Sequence, residues 1–321
     1  KWLQDTLNVI GIRPINNVVD ISNYLLHAFG QPLHTFDADK IEGDKIVVRT
    51  AQEGEKFVTL DGVERTLCAN DLMICDATKP MCIAGVFGGL DSGITDATTS
   101  VFIESAYFNP VFIRKTARRF GLHTDASFRF ERGVDPNQII YVLKLAALMI
   151  KELAGGEIAS EITDIYPSPI NDFTVTVSIA KMDSLIGKSL GRETIEKILK
   201  GLEIKVLSFE NDTYTLSVPS YRVDVQRDVD IIEDVLRIYG YNNVEISSKV
   251  NSSLNYGEKP DTNKLQYLVS EQLSSCGFYE ILNNSLTKTL YYERLKQYPL
   301  ERCVKLMNPL SNDLGVMRQT L

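Results

Sequence analysis

The sequence predicts an α+β fold, in which a β-rich region is followed by smaller units of mixed helices and strands. Three observations predict it. Short β-branched runs alternate with turn residues over 46–89, a long apolar helical pattern follows Asp135, and two polar stretches divide the rest of the chain. At roughly 150 residues per domain, 321 residues correspond to about two domains, or to three small ones.

The composition is that of an ordinary globular protein. The chain has 34 Lys and Arg against 42 Asp and Glu, a net charge of −8, and is 44% hydrophobic, which excludes disorder and collagen-like repeats. Its five cysteines lack C-x-x-C spacing and its three histidines are scattered, so reduced thiols and a cytoplasmic location are expected. No apolar run or leader predicts membrane insertion or secretion. The absence of an initial Met predicts a piece of a longer chain.

The first elements predicted along the chain are strands. Over 46–89 the runs KIVVRT, KFVTLDG, RTLCAND and LMICDA are separated by Gly, Asn or Asp, which predicts an antiparallel β body. A helix is predicted next, with Asp135 as N-cap, apolar residues at helical spacing to Ile150, and Gly155 as the stop.

The second half predicts a compact unit between two linkers. A proline-containing stretch over 165–172 and a polar stretch over 247–261 are the linkers. Between them the pattern predicts the strand FTVTVSI, a helix from near Arg192, a hairpin from IKVLSF and TYTLSVP, and a helix ending at Tyr239. Beyond the second linker, a helix over 265–276 is predicted.

Two features of the first half predict a pocket. The segment AGVFGG (84–89) lacks phosphate-loop spacing, so its glycines serve either a tight turn or the close approach of backbone to a ligand. Glu104 lies in the apolar run VFIESAYF, where a strand would give it the same face as Phe102, towards a core or pocket. A hydrogen-bonded structural acid, or an acid at a solvent-facing edge, is the alternative.

A basic stretch follows. It contains six basic residues within nineteen positions, against Asp125 and Glu131: Arg114, Lys115, Arg118, Arg119, Arg129 and Arg132. Such a local positive charge in an acidic chain can hold the phosphates of a polyanion. A solvated basic helix face is the alternative.

Four acids of the second half have spacing suited to a cation. Asp230, Glu233 and Asp234 are predicted to share one helix face, and Asp224 in the preceding loop completes an oxygen cage that suits Mg²⁺. The opposite face is predicted to be buried, through Ile232, Val235, Leu236 and Tyr239. A solvated acidic face near a helix N-terminus is the alternative.

Taken together, five ordered segments closely resemble the beta subunit of bacterial phenylalanine–tRNA ligase. They are RPINNVVDISNYLLHAFGQPLHTFDADKI (13–41), GVFGGLDSGI (85–94), FIESAYFNP (102–110), RRFGLHTDASFRFERGVDP (118–136) and PSYRVDVQRDVDIIEDVLRIYGYNN (219–243). The resemblance implies a β-rich B3/B4 tRNA-editing domain over 1–166, a small winged-helix-like B5 domain over 172–246, and the truncated start of a mixed α/β catalytic-like domain over 255–321. The family's other domains are not expected in this chain.

The resemblance implies hydrolytic editing. In this family the editing domain removes tyrosine wrongly esterified to tRNA(Phe), supporting ATP-dependent phenylalanyl-tRNA aminoacylation by an α2β2 enzyme. By motif, Glu104 receives the tyrosine hydroxyl beside the backbone of Gly88, and His34 is a pocket residue near the aminoacyl moiety. Because no Ser-His-Asp triad or metal-water motif accompanies these residues, we expect a positioned water to attack the ester, with His34 as the candidate to contact it. The remaining pocket residues implied are Ser22, Asn23, Thr124 and Ala126. Many relatives have Thr in place of Ser22.

The resemblance also implies partners and a metal. The implied Mg²⁺ ligands, shared with the alpha subunit, are Asp224, Asp230, Glu233 and Asp234, and the implied tRNA contacts are Arg114, Arg118 and Arg119. The alpha subunit holds the aminoacylation site, so this chain alone is not expected to charge tRNA, and neither DNA nor a membrane is an expected partner. A catalytically silent RNA-binding and subunit-bridging scaffold and a stand-alone Mg²⁺ enzyme are the competing hypotheses.

Overall fold

The structure is a computed structural model that describes residues 1–246, 252–253 and 261–320. The chain divides into two compact units, Lys1–Ile246 and Ser247–Leu321. The predicted linker over 247–261 lies almost entirely outside the described residues. No helix among the residues described is both long and apolar enough to cross a membrane.

Short antiparallel strands form the β body of the first unit. They are β1 Leu33–Asp37, β2 Val47–Thr50, β3 Lys56–Val58, β4 Glu64–Thr66, β5 Leu72–Cys75, β6 Pro80–Ile83, β7 Phe87–Gly88 and β8 Val101–Ser105. Three sheets result, in the orders β1-β8, β2-β5-β6-β7 and β3-β4. The antiparallel body predicted over 46–89 is therefore confirmed, and its core is built on Phe36, Met73, Ile83, Ile113 and Phe130.

Helices cover this body and form a second core beside it. They are α1 Trp2–Val9, α2 Asn17–Phe29, α3 Pro110–Phe120, α4 Asp125–Phe130 and α5 Ile139–Ala154. The apolar faces of α1, α2 and α5 meet around Leu7, Ile21, Leu25, Val142 and Ala146. Because α2 also packs against β1, this helical layer supports the sheet formed by β1 and β8.

The helix predicted with Asp135 as N-cap begins three residues later than predicted, at Ile139. The Asp135 carboxylate instead accepts a hydrogen bond from the backbone N–H of Asn137 at 2.9 Å, so it closes a turn before the helix. The predicted stop at Gly155 is confirmed, with φ +78°.

Residues 173–246 form a small sheet with helices packed on it. Its elements are β9 Phe173–Ser178, α6 Ile179–Ile186, α7 Arg192–Gly201, β10 Lys205–Glu210, β11 Thr213–Val218 and α8 Asp228–Tyr239. The strand order is β10-β11-β9, entirely antiparallel. Asn211 and Asp212 both have positive φ in the β10–β11 turn, as two-residue hairpins require. The strand, hairpin and helices predicted here are confirmed.

The second unit has little secondary structure among its described residues. It contains α9 Thr262–Ser275, β12 Leu286–Thr287, α10 Thr289–Arg294 and β13 Val316–Met317, with β12 antiparallel to β13. The helix predicted over 265–276 is confirmed as α9. None of its residues is buried.

Candidate functional site

The pairing of β1 with β8 brings His34 and Glu104 together. These strands are far apart in sequence, and their register places His34 directly opposite Glu104 and Phe36 opposite Phe102. Alternate residues of a strand share a face, so all four side chains lie on the same side of this sheet. The His34 ring contacts the buried Phe36 edge-on, with 4.5 Å between ring centroids, so an aromatic wall continues from the pair.

Gly88 forms a third side of the site. It lies in β7 opposite Cys82, and a Cβ atom placed on it would stand 3.2 Å from Cε1 of His34. The preceding Gly85 has φ +65°, so the glycine segment provides both a left-handed turn and a close approach of backbone to the imidazole. The sequence left two roles open for these glycines. The tight turn is made by Gly85, and the close approach of backbone is made by Gly88.

Burial controls the protonation of the pair. Removal from water raises the pKa of the Glu104 carboxyl to about 7 and lowers the pKa of the His34 imidazole to about 4. Nε2 of His34 is buried and has no hydrogen-bond partner in the part of the chain that the structure describes. Buried polar atoms normally have a partner, so this nitrogen marks a place for a water or a ligand atom.

The pKa shifts of Glu104 and His34 predict opposite pH dependences of the free energy of unfolding. Since the fold favours neutral Glu104, its contribution to stability is present below the ordinary pKa of the carboxyl and is lost as the pH rises through about 7. For His34 the contribution is present above the ordinary imidazole pKa and is lost as the pH falls through about 4.

Replacing Glu104 by glutamine should therefore remove the loss at high pH. Between about pH 5 and about pH 8, the free energy of unfolding of Glu104→Gln should improve relative to wild type by up to about 3 kcal/mol, measured by urea denaturation. Glu64, an exposed acid on β4, supplies the control Glu64→Gln. Parallel pH profiles for Glu104→Gln and wild type would show that burial does not perturb this carboxyl.

Residues 123–127, the HTDAS segment, are joined by a hydrogen bond to the glycine segment 84–89. Thr124 caps α4, and its Oγ1 donates to the carbonyl of Val86 at 2.9 Å, two residues before Gly88. Ala126 is partly buried against the first core. Ser22 and Asn23 are half-buried on α2, which packs against β1, and the Ser22 hydroxyl donates to its own helix at Val18.

Cys82 is a residue at this site that the sequence analysis did not identify. It is buried on β6, opposite Gly88. Burial and then the neighbouring Glu104 carboxylate raise the pKa of its thiol. Its position in the apolar run immediately before the glycine segment was the available signal.

The basic stretch is divided between free and engaged side chains. Arg114 and Arg118 are exposed on α3, and no ion pair within the described residues involves either. Arg119 instead donates to the buried carboxylate of Asp71 and lies 4.3 Å from the ring centroid of Phe120. Of these three arginines, Arg114 and Arg118 are therefore better placed than Arg119 for an external phosphate.

Two of the four predicted magnesium ligands are paired with arginine in this chain. Within the described residues, no group of three or more His, Cys, Asp or Glu is arranged to hold a metal ion. Asp234 bonds to Arg222 at 2.6 Å and Arg237 at 2.7 Å, and Asp230 bonds to Arg227 at 2.7 Å. Arginine thus occupies oxygens that a cation would need, so these residues do not fit Mg²⁺ as they stand.

The prediction that the acids of α8 lie on an exposed face is wrong for Asp234. Asp234 is 7% exposed, because it lies three residues from the buried Ile231 on the same side of the helix. Asp224 and Glu233 are exposed, as expected.

Sequence comparisons define the class of protein to which this fold and site belong. Residues 1–155 match the B3/4 domain and residues 175–241 match the tRNA synthetase B5 domain. Residues 247–321 match the phenylalanyl tRNA synthetase beta chain CLM domain. Three consecutive matches of this kind identify a chain of an aminoacyl-tRNA synthetase.

The relatives specify which synthetase. The whole chain is 63% identical to the phenylalanine–tRNA ligase beta subunit of Bacteroides fragilis, 54% identical to that of Porphyromonas gingivalis, and 40% identical to that of Geobacter metallireducens. The chain belongs to the phenylalanine–tRNA ligase beta-subunit family. It spans 39% of the length of the first two relatives and 40% of the third.

One solved structure matches part of this chain. It is an N-terminal fragment of the phenylalanyl-tRNA synthetase beta subunit from Pyrococcus horikoshii, with 18% identity and a TM-score of 0.35. The match covers 70% of this chain and 65% of that one.

Proposed function

We propose that the first unit binds the 3′ end of tRNA(Phe) carrying tyrosine and hydrolyses the ester, as the editing module of a phenylalanine–tRNA ligase beta subunit. The observation that supports this function best is the half-buried Glu104 carboxyl, which lies directly opposite His34, the residue whose imidazole approaches Gly88. A solvent-exposed Glu104 with no cavity beside it would favour the scaffold hypothesis, and the stand-alone Mg²⁺ enzyme would need a concave pocket next to Asp230. Within the described residues, the acids around Asp230 are not grouped to hold a metal ion.

The selectivity follows from the cost of an unpaired polar group. Tyrosine brings a hydroxyl that can hydrogen-bond to Glu104, whereas phenylalanine would leave the carboxyl buried without a partner, which costs about 1–3 kcal/mol. With its pKa at about 7, the carboxyl is partly protonated near neutral pH and can donate to the phenol oxygen or accept from it.

The hydrolysis itself requires a positioned water. His34 is neutral near pH 7 because its pKa is about 4, so an imidazole nitrogen is available to accept a hydrogen bond. The unpartnered Nε2 is the atom to which we assign this role, and orientation by the imidazole and by backbone dipoles supplies most of the catalysis. No covalent intermediate is proposed.

The partners proposed are tRNA(Phe) and the ligase alpha subunit. Arg114 and Arg118 would contact tRNA phosphates through the exposed side of α3. In the complete α2β2 enzyme this chain would support ATP-dependent aminoacylation in the cytoplasm without performing it alone. The Mg²⁺ site shared with the alpha subunit stays a prediction, and no step above uses it.

The test is a comparison of two esters. The chain should hydrolyse tyrosyl-tRNA(Phe) roughly 10- to 100-fold faster than phenylalanyl-tRNA(Phe), measured as release of labelled amino acid. The exposed variant Glu64→Ala should behave as wild type. Equal rates for the two esters would contradict selection through the hydroxyl, and tRNA binding without hydrolysis of either ester would support the scaffold hypothesis.

A further inference from the structure

An aromatic side chain lies exposed beside the HTDAS segment. Phe128, on α4, is 48% exposed although it is a large apolar residue. The guanidinium carbon of Arg132 lies 3.6 Å from its ring centroid, and that of Arg129 lies 5.7 Å away. Nη1 of Arg132 donates to the carbonyl of Phe128 at 3.0 Å and to the Glu131 carboxylate at 2.7 Å, which fixes the guanidinium over the ring.

This ring borders a small cavity of about 140 Å³. The cavity is lined by His123, Thr124, Asp125, Ser127, Phe128 and Glu131. Thr124 is the residue bonded to Val86, so the cavity adjoins the wall that leads to Gly88 and His34. A group bound at Phe128 would therefore lie on the same side of the site as Thr124, which bonds to the chain two residues before Gly88.

The chemistry of the lining suits a nucleobase better than a phosphate. Aromatic rings and guanidinium planes stack on bases, each such stack contributing about 1–3 kcal/mol. The carboxylates of Asp125 and Glu131 would repel a phosphate, but they accept hydrogen bonds from exocyclic amino groups. Adenine and cytosine, the bases of the CCA end of tRNA, both carry such a group.

We propose that Phe128 and Arg132 form a stacking platform for the terminal adenine of the tRNA, and so position the ester in front of His34. This inference rests on the proposed function, because the base is recognised as part of the same substrate. Phe128 acts here as a positioning residue: it binds the base and takes no part in the hydrolysis.

The test uses binding rather than turnover. Two 5′-fluorescent oligoribonucleotides are compared by anisotropy, one ending in ACCA and the other with an abasic site in place of the terminal adenosine. Both carry the same phosphates. The 321-residue chain should bind the adenine-ended oligonucleotide roughly 10- to 100-fold more tightly, and Phe128→Ala should abolish this ratio.

Two variants separate stacking from other effects. Phe128→Trp should keep the ratio, because it retains a planar ring, and Tyr141→Ala, which removes an exposed aromatic from α5, should not change it. Equal dissociation constants of wild type for the two oligonucleotides, or an unchanged ratio in Phe128→Ala, would overturn the platform.

The binding experiment and the editing assay test the two proposals separately. A wild type that distinguishes adenine from the abasic end but hydrolyses both esters equally would keep the platform and remove the proposed selectivity. If wild type edits selectively while Phe128→Ala binds and edits normally, the proposed selectivity is kept and the stacking platform is removed.

Discussion

Replacing Glu104 by alanine is expected to lower kcat/KM for tyrosyl-tRNA(Phe) about 10- to 100-fold and to leave the phenylalanyl ester unchanged or slightly faster. The variant loses the hydrogen bond that only tyrosine makes. It also removes the buried carboxyl that phenylalanine would leave unpaired, so the two rates converge. Deacylation of both esters under single-turnover conditions measures this directly.

Two further substitutions sharpen the result. Glu104→Gln keeps a hydrogen-bonding group of nearly the same shape, so it should retain more selectivity than Glu104→Ala. Because the carboxyl is buried, circular dichroism and urea denaturation must show that each variant is folded. A folded Glu104→Ala chain with wild-type selectivity would exclude Glu104 as the group that reads the hydroxyl.

His34→Ala distinguishes the two positions that the imidazole can have relative to the substrate. If Nε2 orients the attacking water, this variant slows both esters by the same factor and keeps the selectivity. The register sets His34 directly across from Glu104, however, and tyrosine carries its hydroxyl and its ester at opposite ends. A loss of selectivity at a retained rate for the phenylalanyl ester would assign His34 to the hydroxyl end.

Local patterns predicted the elements well. The strands over 46–89 and the hairpin closed by Asn211 and Asp212 follow from alternation and turn residues, which act over a few positions. The face of Glu104 also follows from strand alternation. The start of α5 was misjudged because Asp135 is equally suited to cap a helix and to close a turn.

The site depends on contacts between distant segments, which periodicity does not specify. Nothing in the spacing of either strand shows that position 34 pairs with position 104. The family resemblance supplied those residues together, and the structure supplied their geometry. Arg119 is a second case of a contact between distant segments. Its basic sequence neighbours predicted a side chain free to bind phosphate, whereas its partner Asp71 lies 48 positions earlier.

Replacing Asp71 by alanine is expected to cost about 3–5 kcal/mol of unfolding free energy. Asp71 is 1% exposed, and its carboxylate accepts from the backbone of Cys68 at 2.8 Å, from the Thr116 hydroxyl at 2.7 Å, and from Arg119. The substitution leaves a buried hydroxyl and a partly buried guanidinium without their acceptor. Urea denaturation measures the loss, with Asp91→Ala, at an exposed acid, as the control.

The same substitution should weaken tRNA binding for a structural reason. Asp71 precedes β5 and holds α3 to the β body through Thr116 and Arg119, and α3 carries Arg118. A double-mutant cycle of Asp71→Ala with Thr116→Val should give a coupling energy of about 0.5–3 kcal/mol, since the two side chains touch. Arg118→Ala should lower tRNA affinity at unchanged stability, whereas Asp71→Ala should lower both. A loss of stability below about 1 kcal/mol in Asp71→Ala would show that this carboxylate does not tether the helix.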